Sequence, residues 1–415
     1  MAGSPKKKST SLFDRILTKK GSLILLIMVI LCAISMTWIF TYHPQLEAKA
    51  TSPTVTLPGQ FSVTFPIQGE SAVGTDAFGV IASSPDQSPI PIASVTKIMT
   101  AYLVLNAYPL KQGEDGPTLT ITGQDVADYL HDVAEGGSIL EVTEGEKLTE
   151  KQLLEGLLLP SGDNAARTLA RLVSGSEEAF VAKMNETAQA LGMTQTHYAD
   201  ASGLDPESVS NAVDQIKMAQ IAMKNPVFRE IVAMTEANLP VPGTIHNVNY
   251  LLGKQGIVGI KTGSSSAAGG CFMSAASIHV EKEVHYVIAV VLGQHTDYKP
   301  LHQAIDENAK ILEQIRPQIK LYPLEVPQND FGQVTTPWHS NSDLYSAEPV
   351  QILGYPGMTA SLSINLLKAQ LPIAPNENMA TLEVKSGESV QEFPLRNAEQ
   401  INPPTILWRL FRNWI

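Results

Sequence analysis

Cysteine is scarce: the 415 residues include only Cys32 and Cys271. Two thiols cannot build a cysteine zinc site. Cys32 also lies inside an uncharged apolar run, so a disulfide to Cys271 is not expected. The nine histidines include no HExxH pair, and metal catalysis therefore has no support in the sequence. No metal and no cofactor is expected. Clustered cations are missing from most of the chain. The formal net charge is −12, and it is unevenly spread. Residues 1–50 carry seven Lys/Arg against two Asp/Glu, and the other 365 carry 22 against 39. So acidic a body excludes nucleic acid as a partner, because phosphate contacts need clustered positive charge. No internal repeat stands out. What remains is a globular composition, 44% apolar and 17% charged, in a chain long enough for two domains.

Lys6, Lys7, Lys8, Arg15, Lys19 and Lys20 precede 21 uncharged residues, 22–42. A helix of that length reaches about 31 Å, enough for a bilayer core of about 30 Å. The expectation is a cytoplasmic basic N-terminus (1–21) and a transmembrane anchor (22–42), with Trp38 and Tyr42 in an outer aromatic belt. A cleaved signal peptide stays open beside it, because Ala48-Lys49-Ala50 resembles an A-x-A site. Both readings put the body at the extracytoplasmic face of the cell membrane.

A linker is expected at 43–59, and the Thr, Pro, Gly and Ser-rich composition runs on to residue 75. Residues 77–82 then fit a short buried strand. Helical periodicity follows at 94–107, 123–132, 150–159, 164–173 and 177–191. Apolar, partly β-branched runs at 256–262, 271–278 and 284–292 read as sheet-core strands, and 301–315 as a further helix. Together these predict one α/β domain over 60–318. Prolines and short alternating runs mark 319–400 as a small all-β domain, with a hairpin turn at Ser386-Gly387. Thr405 can cap a final helix, 404–415. On it Leu407, Leu410, Phe411 and Trp414 share one face and Arg409, Arg412 and Asn413 the other. This pattern suits a membrane-surface helix with lipid as partner; docking on its own β domain is the alternative.

Three segments carry chemistry. Ser94 and Lys97 are three residues apart, on one face of a helix start. A serine hydroxyl needs a base to become a nucleophile, and a lysine serves if burial and nearby cations lower its pKa. Alone, S-x-x-K is common and reads equally as an exposed polar pair. Next, Pro160-Ser161-Gly162-Asp163-Asn164 puts a hydroxyl on a turn between apolar helices; helix capping by Ser161 or Asp163 is the plainer reading. Last, Lys261-Thr262-Gly263-Ser264 ends an apolar strand. There Lys261 and Thr262 can face an anionic substrate and Gly263 can admit its backbone, or the glycine simply marks a turn.

In this order the set resembles the serine-type D-alanyl-D-alanine carboxypeptidases, the low-molecular-mass penicillin-binding proteins. The resemblance extends through PIASVTKIMTAYLVL, LTEKQLLEGLLLPSGDNAARTLA, MNETAQALGMTQTHYADASGLD and GIVGIKTGSSSAAGGCFMSAA, and covers about 60–316. It implies a β-lactamase/transpeptidase-like fold: an antiparallel sheet with flanking helices and a helical subdomain, then a small β domain. It also implies that Ser94 attacks the penultimate D-alanine carbonyl of the peptidoglycan stem pentapeptide, with Lys97 as base. Ser161 would relay the proton to the leaving nitrogen. Lys261 would keep Lys97 neutral and attract the substrate carboxylate, which Thr262 would bind. The Ser94 and Ser264 N–H groups would form the oxyanion hole. β-Lactam antibiotics would acylate Ser94 too.

The second motif departs from the family's Ser-x-Asn. Its third position is Asp163 and the asparagine is Asn164, so both stay candidates. The family's carboxylate-gripping arginine after the last strand is missing; His295 and Lys299 are the cations there. Other outcomes on the same scaffold are a transpeptidase, a wall-binding protein without catalysis, or a β-lactamase. Only Glu207 and Asn211 hint at the glutamate loop a class A β-lactamase needs.

Overall fold

The computed structural model describes residues 12–41, 45–280, 283–297, 299–326, 330–367, 370–387 and 389–412. Lys6, Lys7, Lys8, Tyr42, Asn413 and Trp414, named above, lie outside them. Helix α1 spans Leu12–Thr41. The expected membrane anchor is nevertheless overturned: among the described residues no helix is long and apolar enough to cross a membrane. The placement at the extracytoplasmic face of the cell membrane, which rested on that segment, falls with it.

The expected linker, 43–59, instead holds two strands, β1 Glu47–Ala50 and β2 Thr54–Thr56. Next come β3 Glu70–Thr75 and β4 Gly79–Ser83. After the helical region follow β5 Ile257–Ser265, β6 Gly269–Val280 and β7 Glu283–Gln294. These last five make one antiparallel sheet in the order β5-β6-β7-β3-β4, so β5 with the Lys-Thr-Gly motif is an edge strand. The strands read as continuous apolar runs because both faces are covered. Val287, Ala289 and Val291 join the core built with α9, Pro300–Ile315, while Ile288, Val290 and Leu292 join the core on the other face.

That second core contains α2 Lys97–Ala107, α3 Gly123–Glu135, α4 Glu150–Leu158, α5 Asp163–Ser174, α6 Glu177–Ala190, α7 Ala212–Ala222 and α8 Pro226–Val232. Reciprocal capping boxes, Thr122 with Asp125 and Thr149 with Gln152, start α3 and α4. The helices cross over fully buried leucines, Leu154 and Leu157 of α4 and Leu169 of α5. Each such side chain contributes roughly 1.5–3 kcal/mol by leaving water. The turn between α4 and α5, which carries Ser161, is thereby held from both sides.

Not everything in this layer is favourable. Glu150 is fully buried, and neither carboxylate oxygen has a hydrogen-bond partner. Burial pushes its pKa up from 4.5 to about 7. A carboxyl raised in the folded state opposes folding once the unfolded chain ionises. Stability should therefore fall as pH rises from about 4.5 to about 7, and the penalty is complete above that window. We expect Glu150→Gln to raise stability at pH 8 by on the order of 2–3 kcal/mol, and to have little effect at pH 5. Urea midpoints at the two pH values check this. An equal effect at both would contradict it.

The second domain contains β8 Asp330–Thr335, β9 Asn341–Tyr345, β10 Thr359–Leu366, β11 Asn378–Ser386 and β12 Ser389–Asn397. Together with β1 and β2 they form a seven-stranded antiparallel sheet in the order β1-β8-β9-β12-β11-β10-β2. The Ser386-Gly387 turn is present, with Gly387 at φ 60 and Ser386 paired to Ser389. The tail forms α10, Ile406–Phe411, capped by Thr405. Trp408 packs edge-on against Trp338 at 5.7 Å, as the docked alternative requires, while Leu407, Leu410 and Phe411 stay exposed.

Candidate active site

Ser94 does not sit in a regular α-helix. It lies in a 3-10 turn, Ala93–Thr96, that leads into α2. Ala93 before it has φ 47, a left-handed conformation that disfavours a side chain. Ser161 has φ 71. Each costs about 1–2 kcal/mol, and both aim a hydroxyl from the backbone next to a lysine. Lys97 is fully buried. Its Nζ lies 2.8 Å from Ser94 Oγ, 2.6 Å from Asp163 Oδ1 and 2.9 Å from the Ser202 carbonyl. Each of these three oxygens can accept one N–H of the amine.

Lys261 is buried as well, 1% exposed, and donates to Ser161 Oγ and to the Thr262 carbonyl, both at 2.9 Å. Burial, then the charge of Lys97, push its pKa well below the ordinary lysine value, against a smaller pull from Asp163. Thr262 is buried behind the edge of β5 and Ser264 is exposed at its end. The three distant motifs thus meet: S-x-x-K touches the second motif through Asp163, and the second motif touches K-T-G through Ser161.

A Cβ on Gly263 would lie 3.0 Å from Ser94 N and 3.1 Å from the Ile92 carbonyl oxygen, so its missing side chain makes room for the Ser94 turn. Asn164 stands apart from Lys97: its amide accepts from Leu140 N at 2.9 Å and donates to Leu140 O at 2.8 Å. His295 and Lys299 lie beyond the end of β7, both exposed. Glu207 is exposed on its loop, and Asn211 caps α7 and binds the Gln87 carbonyl. The partial β-lactamase pattern is therefore structural. Cys32 and Cys271 are both free thiols.

Sequence reasoning missed the 200–203 loop. Asp200 Oδ2 accepts from Ser202 N and Oγ, and Oδ1 from Gly203 N and Ser208 Oγ. This fixes the carbonyl that Lys97 donates to. A Cβ on Gly203, at φ +81, would fall 1.9 Å from the Ala93 carbonyl oxygen. The Ser94 turn is pressed from two sides by glycines of other segments. The one signal was the run ADASGLD, legible only as part of a resemblance.

The D-alanyl-D-alanine carboxypeptidase family profile matches residues 63–296. A D-alanyl-D-alanine carboxypeptidase of Bacillus subtilis is 29% identical over 342 residues, covering 78% of this chain and 83% of that protein. One from Mycobacterium tuberculosis is 35% identical over 219 residues, 51% of this chain and 71% of its own length. Among solved structures, a Streptomyces DD-transpeptidase superposes with TM-score 0.52 at 29% identity, covering 61% of this chain and 98% of its own.

Proposed function

Because the chain belongs to the D-alanyl-D-alanine carboxypeptidase family, and so is a serine peptidase, we propose the following roles for its residues in that reaction. The enzyme removes the terminal D-alanine of peptidoglycan stem pentapeptides through an acyl-enzyme, and β-lactams fit the same chemistry. In our reading Ser94 Oγ attacks the carbonyl carbon, and its proton passes to the neutral Lys97 amine. The carbonyl electrons move onto oxygen, held by the N–H groups of Ser94 and Ser264. The C–N bond then breaks as the proton travels through Ser161 to the departing nitrogen. Lys261 supports this step, since its hydrogen bond into Ser161 Oγ leaves the hydroxyl's own hydrogen to donate. Thr262 and Lys261 receive the terminal carboxylate of the substrate. Water finally opens the ester and restores the Ser94 hydroxyl.

The observation that carries this reading is the 2.8 Å contact between Ser94 Oγ and a lysine amine with no solvent exposure. A second reading, transfer of the acyl group to an amine, draws on the DD-transpeptidase similarity. Incubation with a pentapeptide-stem substrate, followed by mass spectrometry, separates the two. We expect loss of one alanine, and no loss with Ser94→Ala. A new peptide adduct would instead mean transfer, and an unchanged substrate would contradict both.

A further inference from the structure

The swapped order Asp163-Asn164 follows from what each side chain faces. Asp163 Oδ1 meets a Lys97 N–H at 2.6 Å and Oδ2 meets Ser138 N at 2.9 Å. Both partners are donors, so a carboxylate, which only accepts, suits the position. An amide there would turn its NH2 towards one of them. At 164 the partners are one donor and one acceptor, Leu140 N and Leu140 O. There an amide suits and a carboxylate does not. This order therefore places a formal negative charge, 3% exposed, against the catalytic amine.

We propose that Asp163 is a positioning residue that sets the pH window of the acylating step by holding a proton on Lys97 in the resting site, and not a residue that binds substrate. The inference rests on the reading of Ser94 and Lys97 as the acylating pair. The groups facing Lys97 are few. Asp163 comes from α5, Lys261 approaches from β5, Ser94 from its own turn, and the Ser202 carbonyl from the 200–203 loop. Behind Asp163 stands Asp132 of α3, bound by both oxygens to Arg167 and so already paired. Asp163 is thus the one anion in direct contact with the amine among these groups. Its charge favours the ammonium form, which cannot take the Ser94 proton. Acylation must wait for the pair to lose that proton, so the rate rises with pH. The same carboxylate then stabilises the ammonium as it forms again during attack.

The test is the second-order rate of acylation by a fluorescent penicillin from pH 5 to pH 10, for wild type and Asp163→Asn. The variant should lose rate on the alkaline plateau. Its acidic limb should move at least one pH unit downward, so that the variant-to-wild-type ratio is about tenfold higher on the limb than on the plateau. A ratio constant with pH would reduce Asp163 to a structural contact and overturn the inference. Should Asp163→Asn not fold, 15N spectra of the wild-type Lys97 side chain decide. An ammonium signal that disappears along the acidic limb supports the proposal, and a neutral amine throughout the limb overturns it. Wild type that is not labelled, or Ser94→Ala that is, would instead defeat the functional reading beneath it.

Discussion

Lys97→Ala is expected to lower the acylation rate by a fluorescent penicillin by about a thousandfold. General-base catalysis by a positioned side chain contributes roughly 10²–10⁴. Among the described residues, Lys97 is the side chain that hydrogen-bonds Ser94 Oγ. The loss should be much larger than that from Asp163→Asn on the alkaline plateau. Equal losses would contradict the assignment of roles. Removing the lysine also leaves the buried Asp163 carboxylate without its cation, which costs about 3–5 kcal/mol of stability. Circular dichroism must therefore show a folded variant before its rate is read. A folded Lys97→Ala with near-normal labelling would place the base elsewhere.

Gly203→Ala should be nearly as damaging, although the residue touches no substrate. Two effects combine. At φ +81 any side chain is strained, and the new Cβ would stand 1.9 Å from the Ala93 oxygen, 2.5 Å from its carbon and 2.6 Å from Thr96 Oγ1. Backbone cannot yield as a flexible side chain does, so the turn that carries Ser94 must shift. A displacement of about 1 Å at a reacting group costs on the order of a hundredfold in rate. Gly192 separates the two effects. It has φ +68 and nothing within 4 Å of its Cβ position. Gly192→Ala should lose about 1–2 kcal/mol of stability and keep its labelling rate. Gly203→Ala should lose more stability and about a hundredfold in rate. If the two glycine variants behave alike, the packing argument for the Ser94 turn is wrong.

The parts of this site that were legible in the sequence share a cause. Ser94–Lys97 and Lys261–Thr262 are close in the chain, and their spacing alone fixes which side chains can meet. The sheet-core strands were legible for a similar reason, since β5, β6 and β7 are apolar over most of their length. β3 was missed because Glu70, Ser71 and Thr75 make it read as a polar linker, although all six of its residues are buried. β1 and β2 were missed because each pairs with a strand more than 270 residues away in the chain, as Glu47 does with Thr335 and Thr56 with Thr359. The choice between Asp163 and Asn164 was equally out of reach. It depends on whether each position faces two donors or a donor and an acceptor, and those partners lie 24 to 66 residues away. The left-handed conformations at Ala93 and Ser161 leave no mark in residue type, since neither is glycine. The membrane reading of residues 22–42 rested on composition and length alone, and among the described residues no helix is long and apolar enough to cross a membrane.

The most direct test of the account is to treat the protein with a β-lactam, digest it and locate the adduct by mass spectrometry. The account predicts a single covalent adduct on the peptide that contains Ser94, absent from Ser94→Ala. An adduct on any other residue, or labelling that survives in Ser94→Ala, would contradict it.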